Sequence, residues 1–582
     1  MANMIQNAKD SINEILNAAC LKAVEKGLLP ESADLSRGSV EIPKDTTNGD
    51  YAANHAMTGA KAMRMPPRKI AEILAENAEL EGTWFASIEV AGPGFINFRL
   101  DQKWYSDVLA CVREEGEDYG RVNVGEGKKC MVEFVSANPT GPMHMGNARG
   151  GVLGDALANV MDRAGYDVWR EFYVNDAGNQ IEKFATSIDA RYRQALLGED
   201  AVEFPEDGYH GDDIKELAKL FIDKNGDEYL NVSVEKRHEA MAKFGLDRNI
   251  PKMQSDLRRY GVEYDQWFFE SELHSSGSVE AAVQALTERG YTYEKDGAVW
   301  LKTAQILSEN MLKAGKKQAD IDKLELKDDV LRRANGFYTY FAADIAYHSN
   351  KLKDRGFDLA INIWGADHHG HVARLKGALD ALGLNGEERL QVVLMQLVKL
   401  MSNGQEVRMS KRTGKSITLT NLLDDIPVDS ARYFFNSRPE SPVLFDLELA
   451  QRQDNENPVY YVQYAHARIC TLIAALAAEG HTISDAAAVN TGLLNTEAER
   501  ELIKQLALLP EEIRLAARDY DPSRVNKYVT ELAARFHKFY TVCRIKDVES
   551  ELMEARLMLS DCVRRVIAVS LGIIGVSAPE KM

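Results

Sequence analysis

M-V-E-F-V-S-A-N-P-T-G-P-M-H-M-G-N-A-R-G-G-V-L-G, from Met131 to Gly154, changes character twice. It opens as a short apolar strand, Met131 to Val135. Asn138, Pro139, Gly141 and Pro142 then stop any regular element through fixed backbone angles and turn chemistry. Beyond His144 the apolar residues Val152, Leu153, Ala156, Leu157, Val160 and Met161 recur at helical spacing. A strand, a tight turn and a glycine-lined helix start form a phosphate site, because unpaired N–H groups and the helix dipole face an anion there. Gly146 removes a Cβ from the approach. His144 offers a donor that can follow charge developing on a phosphate.

The whole chain has 582 residues, 45% of them hydrophobic, which predicts a soluble protein of three domains. No stretch approaches the roughly 20 consecutive apolar residues of a membrane span, so no membrane partner is expected. The first ten residues lack the apolar run of a signal peptide, and the six cysteines form no C-x-x-C pair. Both features predict a reducing, cytoplasmic setting. The net charge of −19 does not exclude nucleic acid, since local basic faces bind phosphate whatever the total.

The string from Ser136 to Asn147 resembles the H-x-G-H signature of class I aminoacyl-tRNA synthetases, in the S-x-N-P-T-G-P-x-H-x-G-[HN] form of the arginyl-tRNA synthetases. Asn147 stands where the second histidine usually does. It can donate to phosphate and cap a helix but cannot become cationic. Farther on, Arg408-Met409-Ser410-Lys411-Arg412 resembles the second signature, K-M-S-K-S, with only its second lysine kept. A mobile loop carrying Lys411 can close on a triphosphate as charge moves to the leaving pyrophosphate. Gly414-Lys415-Ser416 imitates the end of a P-loop, but Met409 occupies the position of its first glycine.

Residues 1–120 read as an α+β domain. Helices are expected over Ser11–Lys26 and Pro66–Asn77, and a strand–turn–strand over Ser87–Leu100 around Gly92-Pro93-Gly94. The G-D-Y-A-A-N string before residue 55 resembles the appended N-terminal domain of the family, which holds the tRNA elbow. The resemblance implies base contacts by Phe95 and Asn97, with a core position as the other reading of Phe95. Lys61, Arg64, Arg68 and Lys69 fit either phosphate contacts or a solvated helix face.

Residues 121–454 read as a Rossmann-like catalytic domain in a multidomain α/β chain. The strand Asp167–Val174 and the N-D-A-G-N-Q turn continue a βαβ order, which implies a parallel sheet with ligands at the strand C-termini. Residues 185–325, helical and charged, read as insertions between two halves of the sheet, and the aromatics of Tyr264–His274 fit a family segment or plain core. The sheet is expected to resume at Gly336–His348. There Tyr340 and Asp344, four apart, share one face if the segment is helical. A strand over Leu359–Trp364 leads to G-A-D-H-H-G-H, whose Asp367, His368, His369 and His371 are all possible metal ligands. The spacing is not H-E-x-x-H, and the family has an equivalent segment beside its adenylate pocket without zinc, so no tightly bound metal is expected.

Residues 455–582 read as an all-α domain, with a long helix from Asp521-Pro522 through Tyr528, Leu532, Phe536, Phe539 and Tyr540. It resembles the anticodon-binding bundle of the same synthetases. Tyr461, Gln463, His466, Arg468, Tyr540 and Met582 are the candidates for contact with unpaired bases, although aromatics on a helical stripe are more often core.

The resemblance runs through nearly all of the chain and implies the bacterial arginyl-tRNA synthetases. It implies that ATP, with Mg²⁺, and L-arginine give arginyl-adenylate, whose arginyl group passes to the terminal adenosine of tRNA(Arg). His144, Asn147 and Lys411 would be catalytic. ATP would meet His144, Gly146, Asn147, Asp367, His368, Met409, Ser410 and Lys411. Arginine would meet Glu133, Ser136, Asn138, Tyr340, Asp344, Asp367 and His368, and its forked cation independently calls for carboxylates such as Glu133 and Asp344. A monomer is expected. A nucleotidyltransferase also uses H-x-G-H but has no need of the helical domain. A catalytically impaired tRNA-binding paralogue would lose the signatures. Asn147 and Arg412 lean towards that reading, His144 and Lys411 against it.

Overall fold

A computed structural model describes residues 3–402, 404–406, 417–483 and 489–582. The second signature, Arg408 to Arg412 with Met409, Ser410 and Lys411, lies outside the described residues. At the centre is a five-stranded parallel sheet of β1 (Lys129–Glu133), β2 (Asp167–Val174), β3 (Gln266–Phe269), β4 (Leu359–Gly365) and β5 (Leu390–Met395). Its spatial order is β5-β4-β1-β2-β3. The order reverses between β1 and β4, which opens a crevice at their carboxyl ends, the usual place for ligands in such sheets. The register sets Glu133 beside Asn362 of β4 on one side and Glu171 of β2 on the other. The helix α1 (Met145–Arg163) follows β1 and lies close on the sheet. A Cβ on its Gly154 would stand 2.0 Å from the Phe134 ring, so only glycine permits that approach.

Several boundaries differ from the sequence expectations. β1 ends at Glu133, because Val135 and Ser136 take φ of +70° and +41° and turn the chain out of the sheet. A β-branched residue at positive φ is rare and marks a site held in strain by its surroundings. Gly336–His348 does not resume the sheet. Its second half is α2 (Tyr340–Ser349), capped by the Thr339 hydroxyl, which accepts from the Ala342 N–H at 3.4 Å. An apolar run buried on most sides has no periodicity to separate strand from helix. Residues 185–325 are not all insertion, since Gln266–Phe269 within them is the edge strand β3. Of the aromatics there Phe268 is core, and the half-buried Tyr264, Trp267 and Phe269 pack against the core, Phe172 stacking on Trp267 at 4.1 Å. Ala298–Leu301 is a strand of a separate three-stranded antiparallel sheet. Beyond β5, Val398–Ser402 joins a second small sheet with Val443–Asp446.

The N-terminal domain carries a four-stranded antiparallel sheet with helices at Met4–Glu25 and Pro67–Asn77. The first helix starts earlier than Ser11 because Asn3 caps it, accepting from the Gln6 N–H at 3.0 Å, and Met4, Ile5 and Ala8 are buried. The C-terminal bundle is built on α3 (Pro458–Ala478), α4 (Ser523–Val542) and α5 (Ser550–Ile573). No helix of the described residues is long and apolar enough to cross a membrane.

Arg432, fully buried, ties the bundle to the catalytic domain. Its guanidinium donates to the Ile574 carbonyl at 3.2 Å, to the Tyr260 and Gly261 carbonyls at 3.1 Å each, and to the Asp155 carboxylate of α1. Breaking a buried pair leaves a charge without its partner and costs about 3–5 kcal/mol. Arg432→Met should therefore shift urea denaturation by about that much. Arg438→Met, which removes only an exposed contact with Asp521, should stay within about 0.5 kcal/mol of the parent.

Candidate active site

At the carboxyl end of β1, His144 is the N-cap of α1. Its Nδ1 accepts from the Gly146 N–H at 3.1 Å, and the Asn147 side-chain oxygen accepts from the His144 N–H at 3.0 Å. This reciprocal cap satisfies two of the helix's orphan donors. Because Nδ1 accepts, the ring proton is on Nε2, and partial burial pushes the imidazole below its ordinary pKa. His144 is thus a neutral donor beside the helix N-terminus. The Asn147 carbonyl does the capping, which leaves its amide NH₂ outside the cap. The chain just after the undescribed 407–416 segment is bound to the same spot. Thr418 bridges His144, and the Leu419 N–H donates to the Met143 carbonyl at 2.8 Å.

Across the crevice, α2 and the segment after β4 form the other wall. Asp344, Asp367, His368, Gly370, His371 and Arg374 line a cavity of about 370 Å³. The Asp344 carboxylate pairs with His371 Nε2 at 2.9 Å, and the exposed Asp367 and His368 lie 3.7 Å apart. Tyr340 is half exposed, and its hydroxyl accepts from the Asn179 N–H at 3.2 Å, joining α2 to the turn after β2. Asn138 is exposed in the turn after β1. Among the described residues no group of three or more His, Cys, Asp or Glu gathers as metal ligands do.

The carboxylates are disposed differently from expectation. Glu133 is 5% exposed and is engaged inside the protein. Its Oε2 accepts from Lys351 Nζ at 2.5 Å and Asn362 Nδ2 at 3.0 Å, and its Oε1 accepts from the Ser136 hydroxyl at 2.9 Å. The expectation of Glu133 as an open fork acceptor is corrected on this ground, since a lysine of the chain already meets its charge. Ser136 faces the same carboxylate. A carboxylate the sequence reading passed over, Glu270, stands just after β3 at 3% exposure. Burial raises its pKa, its hydrogen bond to Tyr173 lowers it, and the nearby Asp344 charge raises it again. Burial likewise raises the Tyr173 phenol, followed by the charges of Glu270, Asp344 and Glu133. Tyr173 thus feels the charge of all three carboxylates. The glutamate of W-F-F-E-S-E could have been found had that run been recognised as a strand of the main sheet, because its carboxyl end is where ligands sit.

Two other surfaces carry the remaining candidates. In the N-terminal sheet Ile96, Phe98 and Leu100 are buried and alternate with Phe95, Asn97 and Arg99, which share the opposite face. Phe95 is half-buried there and so is not plain core, whereas Asn97 is 7% exposed under the Gly49 turn. In the bundle, Gln463 and His466 are corrected as base contacts, being 8% and 3% exposed. The Gln463 amide donates to Asp429 at 2.8 Å and to the Ser577 carbonyl at 3.0 Å, while His466 Nδ1 bonds the Pro579 carbonyl at 2.9 Å. Both residues pin the C-terminal tail. Tyr461, Arg468 and Tyr540 remain half-exposed, with Tyr461 4.8 Å from the His537 ring and Arg468 4.0 Å from the Tyr540 ring. Tyr460, Tyr464 and His537 extend them into one stripe, Tyr460 stacking on Tyr464 at 6.2 Å. Met582, 52% exposed, ends the tail.

Comparison with known proteins agrees with this geometry. Three family models match in succession: the arginyl tRNA synthetase N terminal domain over residues 6–100, the tRNA synthetases class I (R) catalytic domain over 110–455, and the DALR anticodon binding domain over 462–582. The chain is 53% identical to an arginine–tRNA ligase of Caldanaerobacter subterraneus subsp. tengcongensis and 50% identical to one of Ruminiclostridium cellulolyticum, each over the full length of both chains. Among solved structures, a putative arginyl-tRNA synthetase of Campylobacter jejuni superposes with a TM-score of 0.72 at 31% identity, covering 83% of this chain and 100% of that one. The Thermus thermophilus arginyl-tRNA synthetase shares the fold, with a TM-score of 0.72 at 21% identity over 98% of this chain and 100% of that one. Neither a nucleotidyltransferase nor an impaired paralogue finds support in these likenesses. A parallel sheet with a capped helix start at the switch point, joined to both flanking domains and matched from end to end by bacterial ligases, means that the chain belongs to the arginyl-tRNA synthetases of class I.

Proposed function

We propose that the crevice between β1 and β4 activates L-arginine with MgATP and passes the arginyl group to tRNA(Arg). The observation that carries this reading is the meeting, across one crevice, of a neutral histidine donor at a helix N-terminus and a carboxylate-rich wall. The triphosphate lies against the start of α1, where His144, Gly146 and Asn147 provide donors, and Lys411, Met409 and Ser410 of the second signature serve the same ATP. Asp367 and His368 contact the nucleotide or the amino acid from the β4 side. Asp344, supported by Tyr340 and Glu270, takes the guanidinium, while Asn138 and Ser136 meet the amino acid's backbone groups. The arginine carboxylate attacks the α-phosphorus and pyrophosphate leaves. The terminal adenosine of the tRNA then attacks the adenylate carbonyl through a hydroxyl, and AMP leaves. Both steps are matters of positioning and of stabilising phosphate charge, with no covalent nucleophile from the protein. The half-exposed stripe of Tyr461, Tyr464, His537, Arg468 and Tyr540, with Met582 beyond it, receives unpaired anticodon bases, and Phe95 faces the tRNA elbow, while Asn97, buried under the Gly49 turn, supports that face from within. None of the six cysteines is joined in a disulfide, which supports a reducing, cytoplasmic setting.

Arginine-dependent ATP–pyrophosphate exchange in the presence of tRNA tests the reading directly. His144→Ala should lower the exchange rate about 10²–10³-fold, the usual effect of losing one donor to developing charge. Asn147→His should stay near the parent, and an unchanged His144→Ala rate would remove His144 from the mechanism.

Substrate choice gives a second measurement. Hydrogen bonds to charged groups contribute roughly 1.5–3 kcal/mol, so Asp344→Asn should weaken arginine use at least about tenfold. Citrulline should fail on the parent because it lacks the cation, and lysine because a point charge cannot span two acceptors as a fork does.

The stripe on the bundle gives a third. Tyr464→Ala should weaken tRNA binding by about 1–3 kcal/mol for the base it stacks while leaving arginine use at saturating tRNA near the parent. The parent's tRNA affinity should fall steeply with salt, as phosphate contacts release counterions. Equal tRNA affinity of parent and variant would move the anticodon contacts off this stripe.

A further inference from the structure

Under the arginine-facing wall lies a lysine that the reaction above does not use. Lys351 is fully buried, in a π-helical turn, Asn350–Asp354, that continues α2. Such turns are rare and cluster at functional sites. Its ammonium reaches Glu133 Oε2 at 2.5 Å and Asn362 Oδ1 at 3.2 Å, and it stands 4.2 Å from the centre of the Tyr347 ring.

An ammonium has donors and no acceptor, so it dictates how its neighbours turn. Asn362 must present its carbonyl to Lys351, which sends its amide NH₂ towards Glu133 Oε2 at 3.0 Å and His348 Nε2 at 2.9 Å. His348 Nε2 therefore accepts, and the ring proton sits on Nδ1, which donates to the Asp344 carbonyl at 2.8 Å. That is one arm, ending on the backbone of the residue assigned to the guanidinium. The other arm runs through Glu133. Its Oε1 accepts from the Ser136 hydroxyl at 2.9 Å, leaving that oxygen to accept from the Tyr173 N–H at 3.1 Å. Ser136 and Val135 are the left-handed pair that turns the chain from β1 towards His144, and such strained residues persist only where their surroundings hold them.

We propose that Lys351 is a positioning residue of the adenylation site: its ammonium sets the direction of a buried hydrogen-bond network whose arms end at the Asp344 backbone and at the Ser136 turn. The network thereby fixes, relative to each other, the two places assigned to arginine, the Asp344 wall and the Ser136 turn. The inference rests on the assignment of Asp344 to arginine. A lysine that merely neutralised Glu133 would affect stability and leave the handling of arginine alone.

Exchange is measured first on the parent with arginine, since failure there would overturn the assignment of the site and not the role of Lys351. Lys351→Met should then raise the Michaelis constant for arginine at least about tenfold, with that for ATP within about twofold. Lys351→Arg, which keeps the cation and its donors, should recover most of the loss. Asn362→Leu severs the arm to His348 while sparing the Lys351–Glu133 pair, and should raise the arginine constant about tenfold. An unchanged arginine constant in Lys351→Met overturns the proposal; if that variant does not fold, an unchanged constant in Asn362→Leu does so. Equal rises for ATP and arginine mark a general loosening and also overturn it.

Discussion

Two carboxylates side by side in the middle of a parallel sheet are the constraint around which this catalytic domain is arranged. Glu133 and Glu171 occupy paired positions on β1 and β2, at 5% and 0% exposure. Like charges opposite one another on neighbouring strands repel, and burial removes the water that would screen them. Both are met from the segment after α2. Lys351 takes Glu133, while Arg355 takes Glu171 through two bonds of 2.6 and 2.7 Å, joined by the Tyr347 hydroxyl at 2.6 Å. The cations stand four residues apart, so one turn of backbone delivers both. A well-packed apolar core in their place would often be as stable. The ion pairs instead hold α2, and with it Tyr340 and Asp344, at one height above the carboxyl ends of the strands.

From that anchoring follows a site with two walls of opposite character. On one side the chain leaves β1 through a strained left-handed pair and enters α1 at a cap made by His144 and Asn147, where backbone donors and the helix dipole favour phosphate. On the other side Asp344 and Glu270 favour a cation. Joining a cationic amino acid to a polyanionic nucleotide calls for this separation, since either charge on the wrong wall would be repelled. Neutral His144 suits its wall as well: it donates without placing a fixed charge against α1, and its lone pair is already used by Gly146.

The net charge of −19 makes local placement matter for an RNA partner. The surface proposed for it on the bundle is a mixed stripe, in which aromatic faces alternate with Arg468 and His537, and not a purely basic one. Half-buried rings are stiff enough to present a face and open enough to accept a base. The bundle is also bolted to the catalytic domain by Arg432, whose donors reach Asp155 on α1 and the Ile574 carbonyl of the bundle. The capped start of α1 and the helical bundle therefore belong to one packed unit.

Sequence alone determined whatever is written in contiguous residues. The Met131–Gly154 string carries its own strand, turn, cap and helix, because turn residues, capping side chains and apolar periodicity act over a few positions. Asp167–Val174 was legible to the residue for the same reason. Phe95 and Asn97 were picked on resemblance, and alternation along their strand sets both on the face opposite the core. The tertiary structure decided everything that depends on partners far along the chain. Gln266–Phe269 became a strand of the main sheet only by pairing with β2, and its glutamate neighbour Glu270 came to the carboxyl end of the sheet only through that pairing. Glu133 looked like a carboxylate open to substrate until Lys351, 218 residues away, was found on it. Gln463 looked like a base contact until the tail 114 residues on was found to occupy its amide. A side chain's type limits the bonds it can make, but which partner takes them is settled by long-range packing, and no local pattern in the sequence records that choice.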